Sequence, residues 1–303
     1  MTESLWPDDV ALAEASAETI RLTDGLIERL LVVPPGREAR VYDAMRYSAL
    51  APGKRLRPLL VLAGSRLFGV PRRSALQVAA AIEMVHAYSL IHDDLPAMDD
   101  SDLRRGRPTC HKEFDDATAI LAGDGLLTMA FEVLAHPDTH GDPAVRVELV
   151  AALAIAAGAA GMVGGQMIDL IAETETLDIA AITRLQRMKT GALIAFSCEA
   201  GAILAKAAGD NRTRLRGFAH DLGLAFQIAD DLLDVEGSAA ETGKPVGVDA
   251  AAGKATFVSI LGVERARAQA DLLVGQAVAH LDFFEQRAEL LRQVARFVVN
   301  RRT

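Results

Sequence analysis

The sequence predicts an all-α fold, and three observations carry the prediction. Apolar residues recur with helical period along most of the chain, and no stretch alternates convincingly with period two. Aromatic residues make up only 5% of the 303 while Ala is abundant, which suits tightly packed helices better than sheets. Gly- and Pro-rich punctuation falls between the periodic stretches rather than within them.

Taken in order, the first two helices are expected at about 8–32 and 37–50, parted by Pro34-Pro35-Gly36. Pro52-Gly53 precedes a third at about 55–68, and Gly69 to Pro71 separates it from a fourth at about 73–95. Helices at about 116–135 and 143–170 flank His136-Pro137 through Gly141-Asp142-Pro143. Gly209-Asp210-Asn211 divides helices at about 178–208 and 211–236, and two more follow at about 255–280 and 283–301. Between them Glu236–Lys254 shows no pattern and holds four glycines and two lysines; loops of that length are often lids. The longest apolar stretch, Leu149–Gly165, is broken by Gly158, Gly161, Gly164 and Gly165, and reads as a buried core helix rather than a membrane span. Length alone would suggest two domains, but no linker, low-complexity tract or repeat divides the chain, so a single domain over 1–303 is expected.

A net charge of −9 and a pI near 5.3 argue against nucleic acid as a partner, which needs a basic stripe. The segment MTESLWPDDV has neither a cationic nor an apolar signal region. Cys110 and Cys198 lack zinc-site spacing, so reduced thiols in a cytoplasmic protein are expected.

Two acidic clusters break the helical pattern. Ile91–Asp102 reads IHDDLPAMDDSD, in which five of twelve residues are Asp. Carboxylates so close repel one another and need a cation among them, either Arg/Lys or a divalent metal. Hard oxygen donors without clustered Cys or His favour Mg²⁺ or Mn²⁺ over zinc. Alone, this stretch is as readily a solvated acidic turn as a metal site. The second cluster, Phe226–Asp234 (FQIADDLLD), places Asp230 and Asp234 on one helix face with Gln227, where like charges weaken the helix. Two such clusters on apolar helices point to a polyphosphate bridged by metals from two walls. On an unbroken helix Asp93 and Asp99 would sit about 120° apart; Pro96 forces a kink or an end that can bring Asp99 back beside Asp93. Lys54 and Arg57, three apart at a helix start, form either an anion site or a solvated basic turn.

The run D-D-L-P-A-M-D followed by L-R-R-G, with D-D-L-L-D far downstream, resembles the trans-polyprenyl diphosphate synthases, most nearly the bacterial farnesyl diphosphate synthases, from about Tyr42 to the C-terminus. The resemblance implies an isoprenoid-synthase helical bundle around a central active-site cavity, and a homodimer. It implies Mg²⁺-dependent condensation of isopentenyl diphosphate with dimethylallyl or geranyl diphosphate to give farnesyl diphosphate, with geranylgeranyl diphosphate as the rival product. Carried over residue by residue, Asp93 and Asp99 hold Mg²⁺ on the allylic diphosphate, with Asp94 orienting them. Asp230, beside Asp231 and Asp234, holds a third Mg²⁺. Gly53, Lys54, Arg57, His86 and Arg105 match the isopentenyl diphosphate site. Arg104, Lys189, Thr190, Gln227 and Lys244 match the allylic site, with Lys254 in the same lid. Gly164-Gly165-Gln166 and Asp169 match a helix-packing motif with no catalytic role assigned. Tyr88 and Ser89, about a turn before Asp93, are the expected floor that limits chain length. A terpene cyclase has no use for a second diphosphate site, and a non-catalytic subunit of a heteromeric synthase would have lost one aspartate motif, whereas both are present here.

Overall fold

The computed structural model describes residues 6–7, 9–172, 174–175, 177–236 and 256–300. In chain order the first helices are α1 (Leu12–Leu30), α2 (Ala39–Ala49), α3 (Leu56–Leu67) and α4 (Arg72–Asp93). A short hairpin, β1 (Leu103–Arg104) and β2 (Arg107–Pro108), leads through α5 (Cys110–Glu113) to α6 (Asp116–Ala135), α7 (Pro143–Ala157) and α8 (Met162–Ala172). Then come α9 (Ile179–Gln186), a π-helical turn (Arg187–Gly191), α10 (Ala192–Leu204) and α11 (Gly209–Glu236). The described C-terminal part holds α12 (Phe257–Leu261), α13 (Val263–His280), a 3₁₀ segment (Asp282–Ala288) and α14 (Glu289–Asn300).

The all-α expectation holds, and α4 is the helix the bundle closes on. Ala79, Ala80, Ala81, Ile82 and Met84 have no exposed surface, and a helix that is apolar on every side is stable only when covered on every side. α3 and α6 pack directly against it, and α10 links α3 to α7 and α11. Buried apolar residues from Trp6 to Val298 form one continuous cluster. Both cysteines are free and buried.

The differences from expectation have local causes. The stretch expected as one helix at 143–170 divides between α7 and α8 after Gly158. Nor is Leu149–Gly165 buried all round: Leu149 and Leu153 are fully covered, but Ile155 and Val163 on the other side are exposed. Among the described residues three helical stretches are long and apolar enough to cross a membrane by length and composition, Arg72–Asp93, Asp116–Ala135 and the α7–α8 stretch Pro143–Ala172, of which the first is largely enclosed by the bundle. The expected helix at 255–280 breaks at Gly262, whose φ of 80° a side chain would resist. Strands of two residues are too short to register as alternation, and so the hairpin has no sequence signature.

Candidate active site

The acidic end of α4 folds as its proline dictates. The helix stops at Asp93, and the following turn brings the Asp99 N–H to donate to the Asp93 carbonyl at 2.8 Å, so the two aspartates return to one side. Burial raises the Asp93 carboxyl to about 6; Lys189 and Arg104 pull it down, while Asp99 and Asp94 push it further up. Asp94 turns the other way. It is buried and takes Arg104 in a fork, Nε at 3.0 and 2.8 Å from its two oxygens and Nη2 at 2.7 Å. The expectation that Asp94 orients Asp93 and Asp99 is thus corrected: its carboxylate orients Arg104.

The π turn forms the next wall. One extra residue in the helical ladder re-aims the side chains that follow, a device common at functional sites. Here it turns the Lys189 ammonium onto Asp169, Nζ to Oδ2 at 2.6 Å. Gly165 makes that approach possible, since a Cβ there would lie 2.2 Å from the Lys189 nitrogen. Asp169, read from sequence as part of a packing motif, is therefore the partner of a site lysine; its one signal was being the one charged residue on α8. Thr190 Oγ1 faces Gln227 Oε1 on α11 at 3.5 Å. The Gln227 amide nitrogen donates to Asp231 at 3.1 Å, and the Phe257 N–H donates to the other oxygen of the same carboxylate at 3.0 Å. Asp231 is buried and ties α11 to α12, while Asp230 and Asp234 are half-buried on the neighbouring face.

A cationic corner closes the circuit. Arg55 begins α3 with a φ of 48° and is consumed internally: it pairs with Asp24 at 2.7 Å and Glu83 at 2.9 Å, and donates to the Ala49 and Ala51 carbonyls. Sequence reading missed both Arg55 and Glu83, although a glutamate inside AAAIEMVHA was a visible signal. Arg57 lies within electrostatic reach of Glu83, Arg105 and Asp230, and its Nε is buried with no hydrogen-bond partner. Burial lowers its affinity for the proton, and Arg105 lowers it further. Burial holds His86 well below the usual imidazole range, helped by Arg57, Arg105 and Arg104, so its ring is neutral. Gly53 gives the guanidiniums room: a Cβ there would sit 2.5 Å from Arg105 Nη1 and 2.8 Å from Arg55 Nη1. Lys54, next to it, is exposed.

Tyr88 is buried on α4 with its ring edge-on to His92 at 5.7 Å, and burial followed by the nearby Asp93 charge raises its hydroxyl to about 12. The Ser89 hydroxyl donates back to the His86 carbonyl at 2.9 Å. Lys244 and Lys254 lie outside the described residues. Asp93 thus lies within electrostatic reach of Asp99, Arg104 and Lys189, Arg57 within reach of Asp230, Arg105 and His86, Thr190 is bonded to Gln227, and Gly53 abuts Arg105. The donor set fits a hard divalent cation. Carboxylate oxygens dominate, and a half-buried Asp93 crowded by like charges is relieved by a cation. Among the described residues no group of three His, Cys, Asp or Glu side chains closes on one point, which suits an ion completed by phosphate oxygens rather than a cage of protein ligands.

The family model described as Polyprenyl synthetase matches residues 38–291. The farnesyl diphosphate synthase of Escherichia coli (strain K12) is 46% identical over 266 residues, 85% of this chain and 87% of that protein. That of Geobacillus stearothermophilus is 48% identical over 244 residues, 80% and 82% of the two chains. An apo crystal structure of an FPP/GFPP synthase from Zymomonas mobilis superposes with a TM-score of 0.87 at 53% identity, covering 95% of this chain and 98% of that one.

Proposed function

The chain belongs to the polyprenyl synthetase family, and on that premise we propose that it is a prenyltransferase making (E,E)-farnesyl diphosphate from isopentenyl diphosphate and dimethylallyl or geranyl diphosphate. One observation carries this reading: each acidic cluster faces a cationic corner, Asp93 of α4 within electrostatic reach of Lys189 and Arg104, and Asp230 of α11 within reach of Arg57. One corner is Arg104 with Lys189; the other is Arg57, Arg105 and the neutral His86. A reaction that joins two diphosphates needs both.

Asp93, Asp99 and Asp230 would hold the magnesium ions, three in all. Bound there, magnesium supplies the positive charge under which an allylic diphosphate departs. Arg104, fixed by Asp94, and Lys189, fixed by Asp169, donate to the oxygens of that leaving group. Thr190 and Gln227 turn oxygen dipoles toward the allylic cation, and Asp231 holds the Gln227 amide in the orientation that presents its carbonyl. Gly53, Lys54, Arg57, His86 and Arg105 hold isopentenyl diphosphate so that its double bond attacks the allylic carbon. The allylic C–O bond ionises first, the double bond then attacks the resulting cation to form the new carbon–carbon bond, and the released diphosphate takes the proton lost from the adduct. By resemblance Lys244 would contribute to the allylic diphosphate site, and Tyr88 ends the pocket for the growing chain.

A second reading, the same condensation carried beyond fifteen carbons, is favoured by the likeness to the FPP/GFPP synthase and by the small Ser89 beside Tyr88. We further propose a cytoplasmic homodimer whose contact includes the apolar residues displayed by α6 and α7, Leu121, Val147 and Ile155. Incubation with geranyl diphosphate, labelled isopentenyl diphosphate and Mg²⁺, followed by chromatography of the dephosphorylated products, tests the main reading. Fifteen-carbon product dependent on both substrates supports it; no condensation product refutes it.

A further inference from the structure

The hairpin that carries Arg104 and Arg105 has little reason to hold its shape unaided. Each strand has two residues, and an isolated two-stranded ribbon is marginal in water. Its register sets Arg104 opposite Arg107, a like-charge pair that destabilises the ladder. Its turn puts both Arg105 (φ 53°) and Gly106 (φ 76°) in left-handed backbone, which Gly adopts freely and Arg only at a cost. Nor does it rest on packed core: beneath it lies a cavity walled by Tyr47, Ser48, Ala87, Ile91 and Cys110. Anchors outside the hairpin therefore decide where Arg105 points.

Asp94 anchors the first strand through its fork on Arg104. Tyr47, on α2, anchors the second. Its hydroxyl donates to the Pro108 carbonyl at 2.8 Å, the Arg107 guanidinium lies 4.3 Å over its ring, and Phe114 meets the ring edge-on at 5.7 Å. The stacking draws the Arg107 charge away from Arg104 and gives it an aromatic face. Held between the two anchors, Arg105 reaches back to donate to the Pro52 carbonyl beside Gly53. Given the reading that Arg105 binds isopentenyl diphosphate, we infer that Tyr47 is a positioning residue for that substrate, acting through Arg107 and the Pro108 carbonyl to set the Arg105 guanidinium beside Arg57 and His86.

Steady-state kinetics of the full chain with both substrates test this. Tyr47→Phe keeps the ring and its stacked cation but removes one hydrogen bond. It should raise KM for isopentenyl diphosphate roughly fivefold and leave KM for geranyl diphosphate and kcat within twofold. In an Arg105→Ala background the same change should do nothing further, because the group it acts through is gone. Equal increases in both KM values, an unchanged KM for isopentenyl diphosphate, or effects that simply multiply in the double variant would overturn the inference. Should Tyr47→Phe fail to fold, Arg107→Leu probes the same link from the hairpin side, with the same outcomes deciding. A wild type without condensation activity would sink the functional reading itself. An active wild type with an indifferent Tyr47→Phe sinks only this inference.

Discussion

Replacing Gly165 by Ala tests whether the π turn is held in place by α8. The added Cβ would lie 2.2 Å from the Lys189 nitrogen, 2.6 Å from its Cα and 2.8 Å from the Met188 carbonyl carbon. Ordinary contact begins at 3.4 Å, so the gap is short by 1.2 Å, and every atom met is backbone that cannot swing aside. Overpacking of this kind costs about 1–3 kcal/mol, which in a chain of this size lowers Tm by roughly 2–5 °C. The larger effect falls on chemistry. Lys189 is aimed by the turn and pinned to Asp169 at 2.6 Å, and misplacing a catalytic group by about 1 Å can cost on the order of a hundredfold in rate. Gly275→Ala is the control: it lies within α13, its Cβ would meet nothing within 4 Å, and it should stabilise the helix by about 0.5–1 kcal/mol with activity unchanged. The assay is kcat with geranyl and labelled isopentenyl diphosphates, alongside a thermal melt. If Gly165→Ala lost stability yet kept kcat within threefold, the placement of Lys189 by α8 would not matter to the reaction.

Asp230→Asn, assayed in saturating Mg²⁺ and both substrates, should lower kcat about a hundredfold or more; near-normal turnover would make the second cluster structural. Tyr88→Ala should cost about 3 kcal/mol of stability and shift product to twenty carbons or longer, read by chromatography; an active variant with unchanged product would place the floor elsewhere. His86 has a depressed folded pKa, so its contribution to stability is in place above pH 6.5 and is lost progressively as pH falls below that value. Melts of the substrate-free protein between pH 7.5 and 5 should show that loss, and His86→Gln should flatten it; an unflattened profile would assign the acid sensitivity to other groups.

What could be read from the sequence was whatever is chemically conspicuous in its own neighbourhood. Asp93, Asp99 and Asp230 stand out because carboxylates on apolar helices carry a cost that needs a reason, and Pro96 announced the turn that reunites the first two. Helices with uninterrupted periodicity were equally legible, α6 most of all. The π turn was not, because one extra residue in a ladder leaves no mark on composition. Nor was the outward face of α7, where small and apolar residues recur on all sides and period alone cannot say which side is covered.

Invisible for a different reason were the residues that aim the obvious ones. Asp169 meets Lys189 across 20 positions, Arg55 meets Glu83 across 28, and Tyr47 meets Pro108 across 61, distances at which only the fold makes neighbours. Their placement follows an electrostatic logic that the site residues alone do not show. The cleft must keep excess negative charge on one wall and excess positive charge on another without letting the two cancel before substrate arrives. Asp94, Asp169 and Glu83 do this by taking up Arg104, Lys189 and Arg55 in fixed pairs. Asp93 is left raised toward neutrality and Arg57 lowered, because burial outweighs the opposite charges within their reach. Groups held that way gain strongly from an incoming counter-charge, which relieves a burial penalty that their neighbours only partly offset. The paired charges keep their aim until substrate arrives, and the buried ones gain most when it does.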